Sequence, residues 1–153
     1  MKLYFYFLLH IDLKPDNVGF TLDGKLKLFD FGLCTCVRQR DKSCYGYAMT
    51  GNTGSLRYMA PEVALRQIYS EKVDVYSFGI MLWQMATDTV PFKGLSRDDF
   101  MTKVVRGGER PPLPYLWPTL FKSLLRSCWS TDSKLRPSFE SILMTLQKML
   151  KEL

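Results

Sequence analysis

Apolar and polar positions change rhythm twice along the 153-residue chain. An apolar run, MKLYFYFLL, ends at the polar stretch HIDLKPDN, His10 to Asn17, and is read as a buried strand or helix end. VGFTLDGKLKLF, Val18 to Phe29, follows as two β-rich arms around Asp23-Gly24, a dipeptide that favours a two-residue primed turn. The second arm alternates Lys25, Leu26, Lys27 and Leu28, which predicts one buried face. Such a turn sets Leu22 opposite Lys25, Phe20 opposite Lys27, Val18 opposite Phe29 and Asn17 opposite Asp30. Opposed Cβ atoms lie about 5 Å apart, so an amide and a carboxylate are expected to converge at the open end of the hairpin.

From Asp30 to Glu62 the chain is rich in Gly, Ser, Thr and Tyr and keeps no period. A stretch that long without regular structure is usually functional. The remainder reads as helices. Ser70 is placed to cap EKVDVYSFGIMLWQMA, which is apolar on nearly every side and therefore predicts a helix buried in the middle of the domain. Arg97 to Val105 is a shorter helix, and Gly107-Gly108 with Pro111 to Pro114 marks a loop. Pro118 suits the first turn of TLFKSLLRSCW. Ser138 suits the cap of FESILMTLQKMLKEL, with Phe139, Ile142, Leu143, Leu146, Met149 and Leu150 on one face. The expected fold is mainly α, with one small β-hairpin.

Composition narrows the class. At 46% hydrophobic residues the chain can bury one core. Lys and Arg total 21 against 15 Asp and Glu, a net +6, but the basic residues are scattered with no run of five or six. That balance suits solubility and acidic partners and argues against a nucleic-acid arm. A single-strand platform of aromatics is also disfavoured, because most aromatics sit in apolar helical runs. Cys34, Cys36, Cys44 and Cys128 have neither zinc-site spacing nor the density of a disulfide scaffold, which predicts a reduced, cytoplasmic setting. One His leaves a His/Cys metal site almost without ligands. The opening apolar run has no small-residue cleavage site and falls far short of the ~20 residues of a membrane span.

Asn17 and Asp30 offer the oxygen ligands that a hard cation such as Mg²⁺ prefers. Asp12 lies five residues upstream of Asn17, in a loop stiffened by Pro15, with Lys14 two residues on. A carboxylate beside a metal pair and a cation points to phosphoryl transfer. Asn17 or Asp30 alone would be read as bonding turn backbone.

These residues carry a resemblance. HIDLKPDN, then DFG, YMAPE, DVYSFG and RPSF, in that order, resemble the C-terminal lobe of a eukaryotic protein kinase, from about Leu8 to the C-terminus. Lys14 in DLKPDN and GSLRYMAPE resemble the serine/threonine type, and the overall pattern is most similar to the tyrosine-kinase-like group of serine/threonine kinases. The resemblance implies a partial kinase domain over residues 1–153, with a catalytic loop at 8–20 and an activation segment at 30–62. It makes Asp12 the catalytic base, Lys14 a support for the γ-phosphate of ATP, and Asn17 and Asp30 the Mg²⁺ ligands. Phe31 would pack against His10, itself a core and backbone-bonding residue, and Ser55 would stand where the family has a Thr touching Asp12 and Lys14. Glu62 and Arg136 would form a buried ion pair, and Asp74 would brace the catalytic loop from below. The partner is then a protein substrate with a Ser or Thr hydroxyl.

Three positions depart from the family pattern. Ile11 replaces the Arg that pairs with an activation-segment phosphate, so phosphorylation at Ser43, Tyr45, Tyr47, Thr50 or Thr53 would lack the usual route to the catalytic loop. Gly19 replaces a larger apolar residue under the adenine ring. Only nine residues precede His10, without a Gly-rich loop or a strand Lys. The expectation is therefore a fragment lacking its N-terminal lobe, which alone binds ATP weakly. The rival readings are a non-catalytic C-lobe interaction module and a pseudokinase switch.

Overall fold

The computed structural model describes residues 6–38 and 56–152. The first apolar run is a strand, β1 (Tyr6–Leu9), antiparallel to β4 (Thr35–Arg38) with Leu8 opposite Cys36 and Leu9 opposite Thr35. Alternation sends Leu9 into the core and leaves Leu8 exposed. Between them β2 (Val18–Phe20) and β3 (Leu26–Leu28) form the expected hairpin.

Its register differs from the expected one by a single residue. Val18 faces Leu28, Gly19 faces Lys27 and Phe20 faces Leu26. The cause lies in the turn. The Thr21 amide donates to Lys25 O at 2.9 Å, and the Lys25 amide donates to Thr21 Oγ1 at 3.0 Å, so Thr21 rather than Leu22 closes the loop. Thr21 also bonds Asp23 through its hydroxyl. The loop is then Leu22, Asp23 and Gly24, and Gly24 takes a left-handed φ of 78° that absorbs the extra residue. The expected buried face of the second arm is also overturned: Leu26 and Leu28 are 57% and 40% exposed. A two-stranded hairpin buries a face only if another layer covers it, and no described residue does so.

The helical part is assembled around α2. A single turn, α1 (Pro61–Ala64), precedes α2 (Lys72–Thr87), whose Val73, Val75, Tyr76, Ile80 and Trp83 are all buried. Ser70 stands one residue before the N-cap, Glu71; its carbonyl takes the Val73 amide at 3.1 Å. α3 (Arg97–Asp99) is capped by Ser96 and runs into a π-helix, Phe100–Arg106. The expected helix is present there but underwound, closed by the Gly107 amide reaching back to Thr102 O at 2.9 Å. A Cβ on Gly107 would lie 2.6 Å from Lys103 O, so only glycine permits this ending. α4 (Thr119–Cys128) starts just after Pro118, and α5 (Phe139–Lys151) is capped by Ser138, which accepts the Ser141 amide at 3.1 Å.

The main core joins Leu9, Ile11 and Leu13 to Tyr76, Ile80, Leu125 and Trp129. A second cluster sets Val75 against Leu124, Cys128 and Ile142. The apolar stripe of α5 is narrower than its spacing predicts: Ile142 is buried and Leu146 half-buried, while Phe139, Leu143 and Leu150 are exposed. No described helix is long and apolar enough to cross a membrane.

α2 and α4 approach closely because residue 79 is glycine. An added Cβ would sit 2.7 Å from the Cβ of Cys128. Gly79→Ala should therefore lose about 1–3 kcal/mol, against the gain of about 0.5–1 kcal/mol that alanine brings to an unobstructed helix. Urea denaturation checks this, and a raised midpoint in the variant would refute it.

Candidate functional site

The site is built on Asp74, in the first turn of α2. Its Oδ2 accepts the His10 amide at 2.7 Å and its Oδ1 accepts the Ile11 amide at 2.8 Å. Ile11 has a left-handed φ of 69°, a genuine outlier for a β-branched residue. Such strain costs about 1–3 kcal/mol, and each hydrogen bond to a charged group returns about 1.5–3 kcal/mol. Burial pushes the Asp74 carboxyl above its ordinary range, while the His10 and Ile11 amides pull it back. The Ile11 side chain lies in the main core, 4% exposed, and makes no polar contact.

From this anchor the chain turns into Asp12, Lys14 and Asn17. Lys14 Nζ meets Asp12 Oδ2 at 2.5 Å, and both side chains are largely buried. Asn17 Nδ2 donates to the Asp12 carbonyl at 2.8 Å and to Asp12 Oδ2 at 3.3 Å. No described residue donates to Asp12 Oδ1. Pro15 opens the single 3₁₀ turn Pro15–Asn17 that brings Asn17 back onto Asp12.

Asp30 stands outside this cluster. The shifted register places Phe29, not Asp30, opposite Asn17, with the Phe29 amide on Asn17 O at 2.9 Å. Asp30 follows in a left-handed conformation, φ 54°, its exposed carboxylate accepting the Gly32 amide at 3.3 Å. His10 links the two parts: its Nε2 lies 2.9 Å from Phe29 O, and its ring packs 5.3 Å from that of Phe31, inclined at 58°. The contact with a carbonyl assigns the ring proton to Nε2. The space that a side chain at Gly19 would fill is taken by the Phe29 ring, whose Cε2 lies 2.8 Å from the position of an added Cβ.

The far end of the irregular segment returns to the same helix. Ser77 Oγ donates to Tyr58 O at 2.7 Å, and the Tyr58 hydroxyl to Gln84 Oε1 at 2.5 Å. Arg136 grips Glu62 with both terminal nitrogens, at 2.5 and 2.9 Å, and also donates to Ser130 O and Lys72 O. Its guanidinium lies 5.1 Å from the Tyr76 ring centre, and that of Arg110 lies 5.2 Å from it. Burial pushes the Tyr76 phenol up to about 12, so it stays neutral beside both cations. Ser77 falls within DVYSFG, but its contact, like those of Gln84 and Arg110, escapes a motif reading. Their signal is weak: polar residues at 74, 77 and 84 of an apolar helix, three and seven apart and thus on one face. Ser55 and the candidate phosphosites Ser43 to Thr53 lie outside the described residues.

The protein kinase domain, as a family model, matches residues 2–146. The chain belongs to the protein kinase family. It is 38% identical over 146 residues to mitogen-activated protein kinase kinase kinase 7 of Homo sapiens, covering 94% of this chain and 23% of that protein. Mitogen-activated protein kinase kinase kinase 12 of Rattus norvegicus is 37% identical over 144 residues, 94% of this chain and 16% of the relative. Serine/threonine/tyrosine-protein kinase HT1 of Arabidopsis thaliana is 36% identical over 140 residues, 92% of this chain. The chain spans 34% or less of the length of these curated relatives.

Two substitutions test the frame of this kinase chain. Glu62→Ala leaves Arg136 charged and buried, and should cost about 3–5 kcal/mol in urea denaturation. Asp74→Asn keeps the side-chain size but turns an NH₂ group toward one of the two loop amides, with an expected loss of about 1–3 kcal/mol. Unchanged unfolding midpoints would contradict both.

Proposed function

We propose that this chain is the C-terminal lobe of a serine/threonine protein kinase, transferring the γ-phosphoryl group of ATP to a protein hydroxyl with Mg²⁺. The observation that carries it is the Asp12 cluster: one carboxylate oxygen is engaged by Lys14 and Asn17, and no described residue donates to the other. The open oxygen would orient the substrate hydroxyl and accept its proton. Lys14, already poised on Asp12, would reach the γ-phosphate and steady its charge.

The residues present suit the metal. Asn17 spends its NH₂ group on Asp12, which leaves its oxygen as the available donor, and Asp30 adds an exposed carboxylate. Mg²⁺ is commonly held by one or two carboxylates plus substrate phosphates. Bound there by Asn17 and Asp30, the metal would neutralise charge developing on the phosphates. Ser/Thr specificity is supported by Lys14 and by GSLRYMAPE, and serine and threonine stand in the name of the relative HT1. Phe20, Leu26 and Phe29, exposed on the hairpin, would lie against the N-terminal lobe and the nucleotide. A cytoplasmic setting is part of the proposal, in keeping with the free thiols of Cys34, Cys36 and Cys128.

In the longest gene product containing these residues, Asp12→Asn should slow phosphate transfer to a Ser/Thr substrate by about 10²–10⁴-fold. Equal rates in parent and variant would overturn the role given to Asp12. The 153 residues alone should bind Mg·ATP weakly by calorimetric titration. Low-micromolar binding would show that half of the cleft suffices.

A further inference from the structure

The apolar stripe of α5 is used within the chain along only one edge. Ile142 is buried in a cluster with Val75, Leu124 and Cys128, and Leu146 packs half-buried against it. Phe139, Leu143 and Leu150 turn to solvent, 46%, 56% and 70% exposed. With Leu146 they recur at intervals of four, three and four residues, the spacing of a coiled-coil seam, and run about 16 Å along one line of the helix. The seam widens onto α2, where the half-buried Phe78 meets Phe139 edge to face, centres 5.6 Å apart at 78°. Single exposed leucines are ordinary. A row of them along one helix edge, continuous with an aromatic pair, is a contact surface without its other half.

The charges beside the seam indicate what fits it. Glu140 and Lys151 stand eleven residues apart, about three turns, and so lie on the same side of the seam, one at each end. Neither has an ion-pair partner among the described residues. Lys148 and Glu152, paired with each other at 3.9 Å, lie round the helix from it. The edge is thus acidic at its N-terminal end and basic at its C-terminal end. A second copy of the same helix matches that order when it runs the opposite way. With a two-fold axis at Leu146, Leu143 comes within one residue's rise, about 1.5 Å, of the level of Leu150 in the other copy. Glu140 comes equally close in level to Lys151 of the other copy, and Leu146 meets itself. Antiparallel helices also set their dipoles favourably. Parallel pairing would instead oppose Glu140 to Glu140 and Lys151 to Lys151.

A lipid surface suits the edge less well. Glu140 borders the seam, and the one cation beside it, Lys151, is too little to hold an anionic headgroup layer.

We propose that two copies of this chain pair antiparallel through α5, seam to seam, in a weak two-fold dimer. Such a contact is self-complementary and closes on itself. One helix edge is smaller than the ~800 Å² per partner of a standard interface, so the expected dissociation constant is about 10–100 μM. The contact uses none of Asp12, Lys14, Asn17 and Asp30.

Sedimentation equilibrium of the 153-residue chain tests it and should show a reversible monomer to dimer equilibrium. Leu143→Gln should weaken dimerisation by about tenfold or more, since each dimer carries the change twice. The position is exposed, and a parental urea midpoint at dilution guards against a folding defect. Glu140→Lys and Lys151→Glu should each weaken pairing by about tenfold, and the double reversal, Glu140→Lys/Lys151→Glu, should restore it, a pattern that parallel pairing does not produce. Asp12→Asn should dimerise as the parent does. Four outcomes would overturn the proposal: a monomer at every concentration up to about 1 mM, a dimer indifferent to Leu143→Gln, a double reversal no tighter than the single variants, or binding to phosphatidylserine vesicles by a chain that stays monomeric in solution.

Discussion

Two backbone amides donating to one buried carboxylate hold the stretch from His10 to Asn17 of this kinase chain in shape. Asp74 takes the amides of His10 and Ile11, and the residue between that anchor and Asp12 is forced into a conformation that isoleucine avoids. Without a fixed acceptor the strained backbone would relax to an extended form, and Asp12 would point elsewhere. The carboxylate itself is costly to bury, as its raised pKa shows, and two amide donors offset that cost. Position is thus decided by a side chain 63 residues away from the loop it shapes.

The remaining order of the site follows from the same helix. Along α2, Asp74 holds the His10 and Ile11 amides and Ser77 holds the Tyr58 carbonyl near the end of the irregular segment. Gln84 takes the Tyr58 hydroxyl. The loop that follows β1 and the far end of the irregular segment are therefore both referred to one helix. The Glu62 and Arg136 pair adds a second tie, and the bidentate geometry satisfies most of the Arg136 fork within the interior. His10 then transmits the anchor to the hairpin through Phe29 O and Phe31, and Asp30 follows Phe29 directly.

Substitutions that look like losses in the sequence are absorbed by neighbours. Gly19 carries no side chain on the hairpin, and the Phe29 ring occupies the space one would fill. Ile11 removes a cation, and its side chain joins Leu9 and Leu13 in the core. The first exchange conserves an apolar surface, whereas the second replaces a polar contact with packing. Neither exchange touches the contacts of Asp12 with Lys14 and Asn17.

Local chemistry in the sequence determined a good deal of this. Asp-Gly marked the hairpin, Pro15 the tight turn before Asn17, Ser96 and Ser138 their helix starts, and five ordered motifs the kinase family. Each of these depends on residues within a few positions of one another, where propensity and sterics act directly. The hairpin register could not be read in the same way, because Thr21 and Leu22 compete to close the loop and the winner is set by a side-chain hydroxyl reaching Lys25. Nor could the exposure of Leu26 and Leu28, since alternation states which residues share a face and not whether anything covers it. Tertiary structure alone decided that Asp74 holds His10 and Ile11, that Ser77 and Gln84 hold Tyr58, and that Gly79 admits Cys128. Those relations join residues distant in the chain, and only packing brings them within reach of one another.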